Sequence, residues 1–502
     1  MGYNTINAYD ATSIYPEFRG LQQYTDAPNS DPRYAVDACN MDTTGGGLRP
    51  LGAPQLLPGG QLVTPIETLA LLHRRWYTDP ADRDLLVAAT QGKLYARTLT
   101  EDAWTELTPP AGVGPWQGTE WSWCCYEINE PGAAAPIDVL LMSNALDGMI
   151  MIRGDTLAVS LVPAPKKFGV IERFAERIWG GDIIDDPDML VYSAPYDPTD
   201  WEARIEIPED GAGDILQPSW DGDRFTALKS FGSQLIAFKR THVWRILGTD
   251  PGEYTFKEQY GGGAPYASTV AVDGERIYML TDRGVAVYDG ASVNPFGQEY
   301  AQQIFQRMNK AAMDKACACA WQGRYYCAIP LDGSTECNAV IVYNALENTW
   351  LLHTAVAVSS FLPTDDRLYF TSPTSPSSVY LWNTDSWASG CSVGPSRWVT
   401  PWNDLSYKSI VKGGYEVYLL PEVQNEPVNL RISVQTEKKI KTKTYTVQPL
   451  TEEQKLLGKS HKQKRLHFGG SGRRFRLIIE CDSTAPWRLV GGLMVVSETD
   501  PD

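Results

Sequence analysis

Residues 173–201 read RFAERIWGGDIIDDPDMLVYSAPYDPTDW. Two apolar-aromatic runs flank a connection that holds four aspartates, Asp182, Asp185, Asp186 and Asp188. The connection is either a metal or catalytic loop or the link between two strands, and the rest of the chain decides between them. The phrase recurs: a turn residue, a short apolar-aromatic run, another turn, a second run. It returns as QGKLYARTL from Gln91, IDVLLMSNALDGMIMIRGD from Ile137, GSQLIAFKRTHVWRILG from Gly232, GERIYMLTDRGVAVYDG from Gly274, GRYYCAIPLDG from Gly323 and DRLYFTSPTSPSSVYLWN from Asp366. With Leu94, Leu140, Trp179, Ile236, Tyr278, Tyr326 and Tyr369 as anchors, the steps are 46, 39, 57, 42, 48 and 43 residues. Units of three or four strands of period-two character, with Gly, Asp, Asn or Pro at the turns, repeating every ~40–50 residues, are the signature of a β-propeller.

A single four-stranded blade leaves two apolar faces in water. Blades packed round an axis cover those faces, and closing the ring leaves only short edges. The spacing predicts six or seven blades, over residues 67–390. In the opening stretch residues 174–180 and 189–194 are then strands, and GDIIDDPD is their connection. A calcium loop wants D-x-D-x-D-G and a later Glu. Pro187 interrupts the acids here and no Glu follows at the right distance, so a solvated acidic hairpin is the favoured reading. One helix interrupts the strands: in EYAQQIFQRMNKAAMDKA from Glu299, Tyr300, Ile304, Met308 and Ala311 fall on one face.

The chain has 502 residues, 43% of them hydrophobic, with 16 Trp and 25 Tyr, which is ample for a core and for more than one domain. No apolar run reaches the ~18 residues of a membrane span, and the N-terminus reads as carrying no secretory signal. Nine scattered cysteines fit a chain made in a reducing cytoplasm. Cys317, Cys319, Cys327 and Cys337 lack the C-x-x-C pairing of zinc sites and read as core residues either side of a turn at Gln322–Gly323. Neither H-E-x-x-H, G-x-S-x-G nor G-x-x-x-x-G-K-[ST] occurs, and GGGAP at 261–265 reads as a turn. The sequence therefore assigns no catalytic residue, no metal ligand and no cofactor. A propeller glycosidase, with paired carboxylates drawn from different blades, is the enzyme alternative, but the Asp boxes of sialidase-type propellers are missing from the sequence.

The last section differs. RWVTPWNDLSYKSIVKGGYEVYLL, VNLRISVQT, GRRFRLIIECD and APWRLVGGLMVVSE read as the strands of a β-sandwich over residues 391–502. Residues 1–66, rich in Gly, Pro, Asn and Asp, read as an extended arm lying over the propeller or over a neighbouring copy. On that basis, deleting residues 1–30 is expected to weaken assembly more than it lowers the melting temperature. The charge splits along the same line. Residues 396–502 carry 17 basic and 12 acidic side chains, or +5, and the preceding 395 carry 27 and 49, or −22. Twelve of the basic residues lie between Lys438 and Arg476. On a strand, Lys439, Lys441 and Lys443 alternate to one face.

The order of these parts resembles the tail nozzle or tail hub proteins of short-tailed bacteriophages, the group that includes DNA-stabilisation proteins. The similar phrases are the A-x-N…GGL-x-P arm (residues 38–50), the R-x-W…L-x-YS…DP-x-x-W blade (177–201) and the GAPY-S…YDG blade (263–290). The resemblance implies a virion tail protein made in the host cytoplasm. Six identical copies would form a ring that continues and closes the DNA channel, passes DNA without binding it tightly, and contacts tail adaptor or head-completion proteins and tail fibre or spike proteins. Within that reading Asp182, Asp185, Asp186 and Asp188 are candidates to face the DNA channel. Lys438, Lys439, Lys441, Lys443, Arg473 and Arg474 are candidates to dock a neighbouring protein. A carbohydrate- or receptor-binding propeller is the alternative.

Overall fold

The computed structural model describes residues 10–23, 30–59, 61–79, 82–130, 132, 135–217, 222–405 and 411–499. Seven four-stranded antiparallel sheets follow one another along the chain. Blade 1 runs from Ile66–His73 to Thr105–Leu107, blade 2 from Ser122–Ile128 to Val159–Leu161 and blade 3 from Val170–Phe174 to Gly213–Leu216. Blade 4 runs from Phe225–Phe231 to Thr255–Gln259, blade 5 from Ala271–Asp273 to Val293–Pro295 and blade 6 from Cys317–Trp321 to Thr349–His353. Blade 7 takes Ser360–Pro363, Leu368–Ser372 and Ser375–Leu381 in order, and its fourth strand is Gln55–Leu56 from the arm, paired to Tyr380 and Leu381. The first strand of blade 7 lies against the first strand of blade 1, which closes the ring. The chain is an all-β protein built on a seven-bladed propeller, the larger of the two blade numbers expected.

Each blade interface has its own apolar filling. Leu140, Met142 and Trp121 pack between blades 1 and 2, Trp179, Tyr192 and Leu235 between blades 3 and 4, and Leu69, Leu362 and Tyr369 between blades 7 and 1. Strands covered on both faces become continuous apolar runs rather than alternating ones: all six residues of Ala339–Asn344 are buried. Cys317, Cys319, Cys327 and Cys337 are free and buried in this filling, where desolvation pushes the Cys327 thiol up to about 12. The turn at Gln322–Gly323 is present, both residues at positive φ.

In the opening stretch the first strand ends at Phe174, and a tight turn at Ala175 and Glu176, with φ of 49° and 57°, precedes the next strand, Arg177–Gly181. The expected strand from residue 174 thus straddles a turn: apolar character is continuous there, and two non-glycine residues take the left-handed conformation that glycine usually marks. The expected helix is Gln298–Arg307, with Ala301, Ile304 and Phe305 buried. It stops at Met308, which turns extended and bridges to Leu331, so Ala311 lies in a separate 3-10 helix, Lys310–Lys315. Gly284 allows the approach of this helix. Its φ is 115°, and a Cβ there would meet the Phe305 ring at 2.4 Å.

Besides a two-stranded sheet, Pro421–Val423 with Trp487–Leu489, the C-terminal section forms two large sheets. One orders Asp10–Tyr15, Leu493–Thr499, Lys412–Leu419 and Lys464–Gly472. The other orders Ile440–Val447, Val428–Thr436, Phe475–Cys481, Ser396–Val399 and Asp37–Cys39. The arm therefore supplies an edge strand to each sandwich sheet and the last strand of blade 7. Between those strands Phe18, Leu21, Met41, Leu48 and Leu51 are buried in one core that runs from Tyr278 and Trp350 in blades 5 and 6 to Trp398 and Tyr415 in the sandwich. Arm, sandwich and blades 5 to 7 share that core.

Candidate functional site

Two charged regions were singled out in the sequence. The first is the aspartate loop, which joins the second and third strands of blade 3. Asp182 takes a left-handed conformation, φ 58°, and its carboxylate accepts from Arg224, ahead of blade 4, at 2.6 Å. Partial burial raises the Asp182 pKa and Arg224 works against that rise. Asp186 pairs at 2.6 Å with Lys166, on the connection from blade 2. Asp188 pairs with Lys239 at the end of the second strand of blade 4. The Lys239 side chain is fully buried, donates to the Gln217 carbonyl at 2.9 Å and lies 4.8 Å from the Phe225 ring centre. Asp185 is exposed.

The aspartate loop is thus a clasp between blades 2, 3 and 4. Three of its four negative charges are matched by cations of the same chain, which reduces the field it projects. Other blades carry aspartates that hold a loop to the same blade or to the segment entering it. Asp147 accepts from the Gln117 and Gly118 amides, Asp223 from the Thr241 amide, and Asp282 from the Tyr266 hydroxyl. Among the described residues, no group of three or more His, Cys, Asp or Glu is arranged to hold a metal ion.

The second region is the open side of the sandwich. Ile440–Val447 and Lys464–Gly472 are the edge strands left uncovered by the arm, and they contact each other. Lys441 stands opposite Val434 and Lys443 opposite Ile432. Directly opposed residues share a face, so these lysines lie on the face that carries the core. They remain exposed at this edge of the sandwich. Lys443 Nζ lies 5.8 Å from the Phe468 ring centre and Lys464 Nζ 4.8 Å from that of Tyr445, so ammonium groups cap the end of the core. Inward-pointing lysines on an edge strand also block casual strand pairing.

Glu437 gathers the remaining candidates. It accepts from the Arg473 amide at 3.2 Å and pairs with Arg474 at 3.2 Å, and Arg474 and Arg476 each lie 4.9 Å from the Trp402 ring centre. The fold therefore brings Lys438, Lys439, Arg473 and Arg474, 34 residues or more apart between the two pairs, to one corner. Among the described residues none of Lys438, Lys439, Lys441 and Lys443 forms an ion pair, whereas Arg474 does.

Sequence reasoning passed over two polar side chains that hold these regions in place. Arg177 is buried at the base of blade 3. Its guanidinium donates to the carbonyls of Ser193, at 2.9 Å, of Gly211 and of Glu209, which fixes the connection between the third and fourth strands. Arg97, also buried, donates to the Pro58 and Gly59 carbonyls at 2.9 Å and anchors the arm on blade 1. An arginine inside an apolar strand phrase, as in ERIWGG, was the available signal.

No family model matches the chain and no curated protein matches it. Among solved structures it is similar to the Pan2 WD40 domain of Neurospora crassa, at 12% identity over 64% of this chain and 89% of that one, with a TM-score of 0.38. It is similar to BBS1N from its complex with ARL6DN, at 11% identity over 67% and 98%, TM-score 0.39. The β-propeller domain of the Trilobed protease from Pyrococcus furiosus matches at 11% identity over 67% and 96%, TM-score 0.33. The sheet order and the closing contact between blades 7 and 1 define the fold of this chain.

Proposed function

We propose that the chain is a non-catalytic structural subunit that assembles with identical copies into a ring around a DNA path, as the nozzle or hub of a short-tailed phage tail. The observation that carries this reading is the separation of charge within one cross-tied unit: −22 over the first 395 residues and +5 over the sandwich section, with an exposed row of unpaired lysines on the sandwich edge. Phosphate contacts with Lys and Arg are the main source of affinity for DNA. An acidic body repels the duplex and lets it slide, and copies set side by side reinforce one another within the ~8 Å reach of charges at physiological salt. The lysine edge is then free for protein contacts, either with another copy or with tail adaptor and fibre or spike proteins. The three phrases behind the resemblance all have structural work in this chain: the arm segment ties sandwich to propeller, Arg177 and Trp179 build blade 3, and the GAPY turn begins blade 5. Sedimentation of the purified chain at low and high salt, with and without duplex DNA, tests the proposal. A salt-sensitive assembly that retains no DNA supports it, and a monomer that binds duplex tightly refutes it.

A second reading, a carbohydrate-binding propeller, draws on a crevice of about 360 Å³ lined by Trp387, Gln424, Asn425, Lys455 and His461. An aromatic ring among amides is the chemistry of sugar recognition. The ring is already covered on one side by the Arg488 guanidinium, 4.2 Å from its centre, which leaves less of it for a sugar.

A further inference from the structure

We propose that the connection at residues 201–211 of blade 3, WEARIEIPEDG, is the element that docks on the lysine edge of the sandwich in a second copy of this chain. The inference rests on the ring reading above and specifies its interface. The connection is held firmly at its base. Arg177 grips the Glu209 and Gly211 carbonyls, the Ala212 amide donates to the Glu202 carbonyl at 2.9 Å, and Arg204 spans the loop to the Asp210 carbonyl at 2.6 Å. On that base it presents Ile205, 94% exposed, with Ile207 beside it, and the last strand of the same blade adds exposed Leu216. Neighbouring exposed apolar side chains on a pre-ordered support are what a docking surface offers, because little ordering entropy remains to be lost on binding.

Charge selects the partner. Glu202, Glu206, Glu209 and Asp210 surround the isoleucines and are exposed. The complementary surface in this chain is the row Lys439, Lys441 and Lys443, where Ile440 is itself exposed and the strand has an open edge. The two surfaces belong to separate parts of one molecule. The sandwich shares its core with blades 5 to 7, and in a ring of seven blade 3 is two steps from blade 5 one way and three from blade 7 the other. Complementary patches at two different places on one subunit give head-to-tail contacts, which close into rings when the rotation permits. Opposite potentials across such a contact also fix its register.

A charge-swap experiment on the full chain tests this by mass photometry at low salt. One variant carries Lys439→Glu, Lys441→Glu and Lys443→Glu, and the other Glu202→Lys, Glu206→Lys and Glu209→Lys. Each alone should need about tenfold more protein to assemble than wild type, and an equal mixture should recover assembly, since each variant edge then meets its complementary loop. Ile205→Asp, at an exposed tip that cannot disturb the core, should weaken assembly while leaving the melting temperature unchanged. Variants that assemble as wild type does, or folded variants whose mixture fails to recover, overturn the interface while the ring reading stands. Loss of duplex DNA binding by the lysine variant, with assembly intact, overturns it in favour of a nucleic-acid surface. A wild-type chain that stays monomeric at every salt concentration overturns the ring reading itself.

Discussion

The Asn40 side chain joins the arm to the start of the sandwich: its Nδ2 donates to the Pro395 carbonyl at 2.7 Å. Its Oδ1 accepts from the Thr354 amide at 2.8 Å and the Ala355 amide at 3.1 Å, where the chain leaves blade 6. Asn40 sits at φ 56°, a conformation Asn tolerates better than other side chains. One arm residue thus closes the junction of blade 6, the arm and the sandwich. Asn40→Ala leaves three backbone groups without this partner in a buried place and adds strain, so urea unfolding should show a loss of about 2–4 kcal/mol. Asn40→Gly, which relieves the strain alone, should lose less.

The arm changes the expected outcome of truncation. From the sequence, deleting residues 1–30 is expected to weaken assembly more than it lowers the melting temperature. In the structure Asp10–Tyr15 pairs with Leu493–Thr499, and Tyr15, Phe18 and Leu21 are buried. Burying three such side chains contributes about 5 kcal/mol or more. Deleting residues 1–30 should therefore lower the melting temperature of the isolated chain markedly, as calorimetry would register.

The Lys239–Asp188 pair makes an asymmetric prediction. Removing Asp188 leaves a buried ammonium with one charge partner fewer, so Asp188→Ala should cost about 3–5 kcal/mol in chemical unfolding. Lys239→Met, which removes the buried charge and keeps the volume, should cost clearly less. Equal losses would contradict the burial argument.

His353 gives stability a pH dependence. It is buried against Trp382, and desolvation lowers its pKa to about 4, from 6.5. Nearby Asp42 pulls the pKa up and Arg324 pulls it down, both less strongly than burial. The unfolded chain takes up a proton below about 6.5 that the folded chain refuses until about 4. The stabilisation is complete above that window and falls as the pH drops through it, with a slope approaching 1.4 kcal/mol per pH unit. His353→Leu should flatten this part of the profile, measured as the difference from wild type between pH 4 and 7.

The blades were legible because each is local: its strands follow one another with turns such as Gln322–Gly323 between them, and the period survives variation in loop length. The fourth strand of blade 7 was not. Gln55–Leu56 is two residues long and pairs with residues more than 320 positions later, and nothing local marks such a partner. The same distance hid the arm strands in the sandwich. The lysine row was found from its alternation, but the face it occupies, opposite Val434 and Ile432, depends on a register that only the structure supplies. The aspartates were visible as charges, whereas their partners Arg224, Lys166 and Lys239 come from separate elements and become neighbours only when blades 2, 3 and 4 pack side by side.

The most direct test of the central claim is imaging of the purified full chain at low salt by negative-stain electron microscopy. The account predicts closed rings of identical copies with a central opening, dispersing into single subunits as salt is raised. Isolated propeller discs at every salt and protein concentration would contradict it.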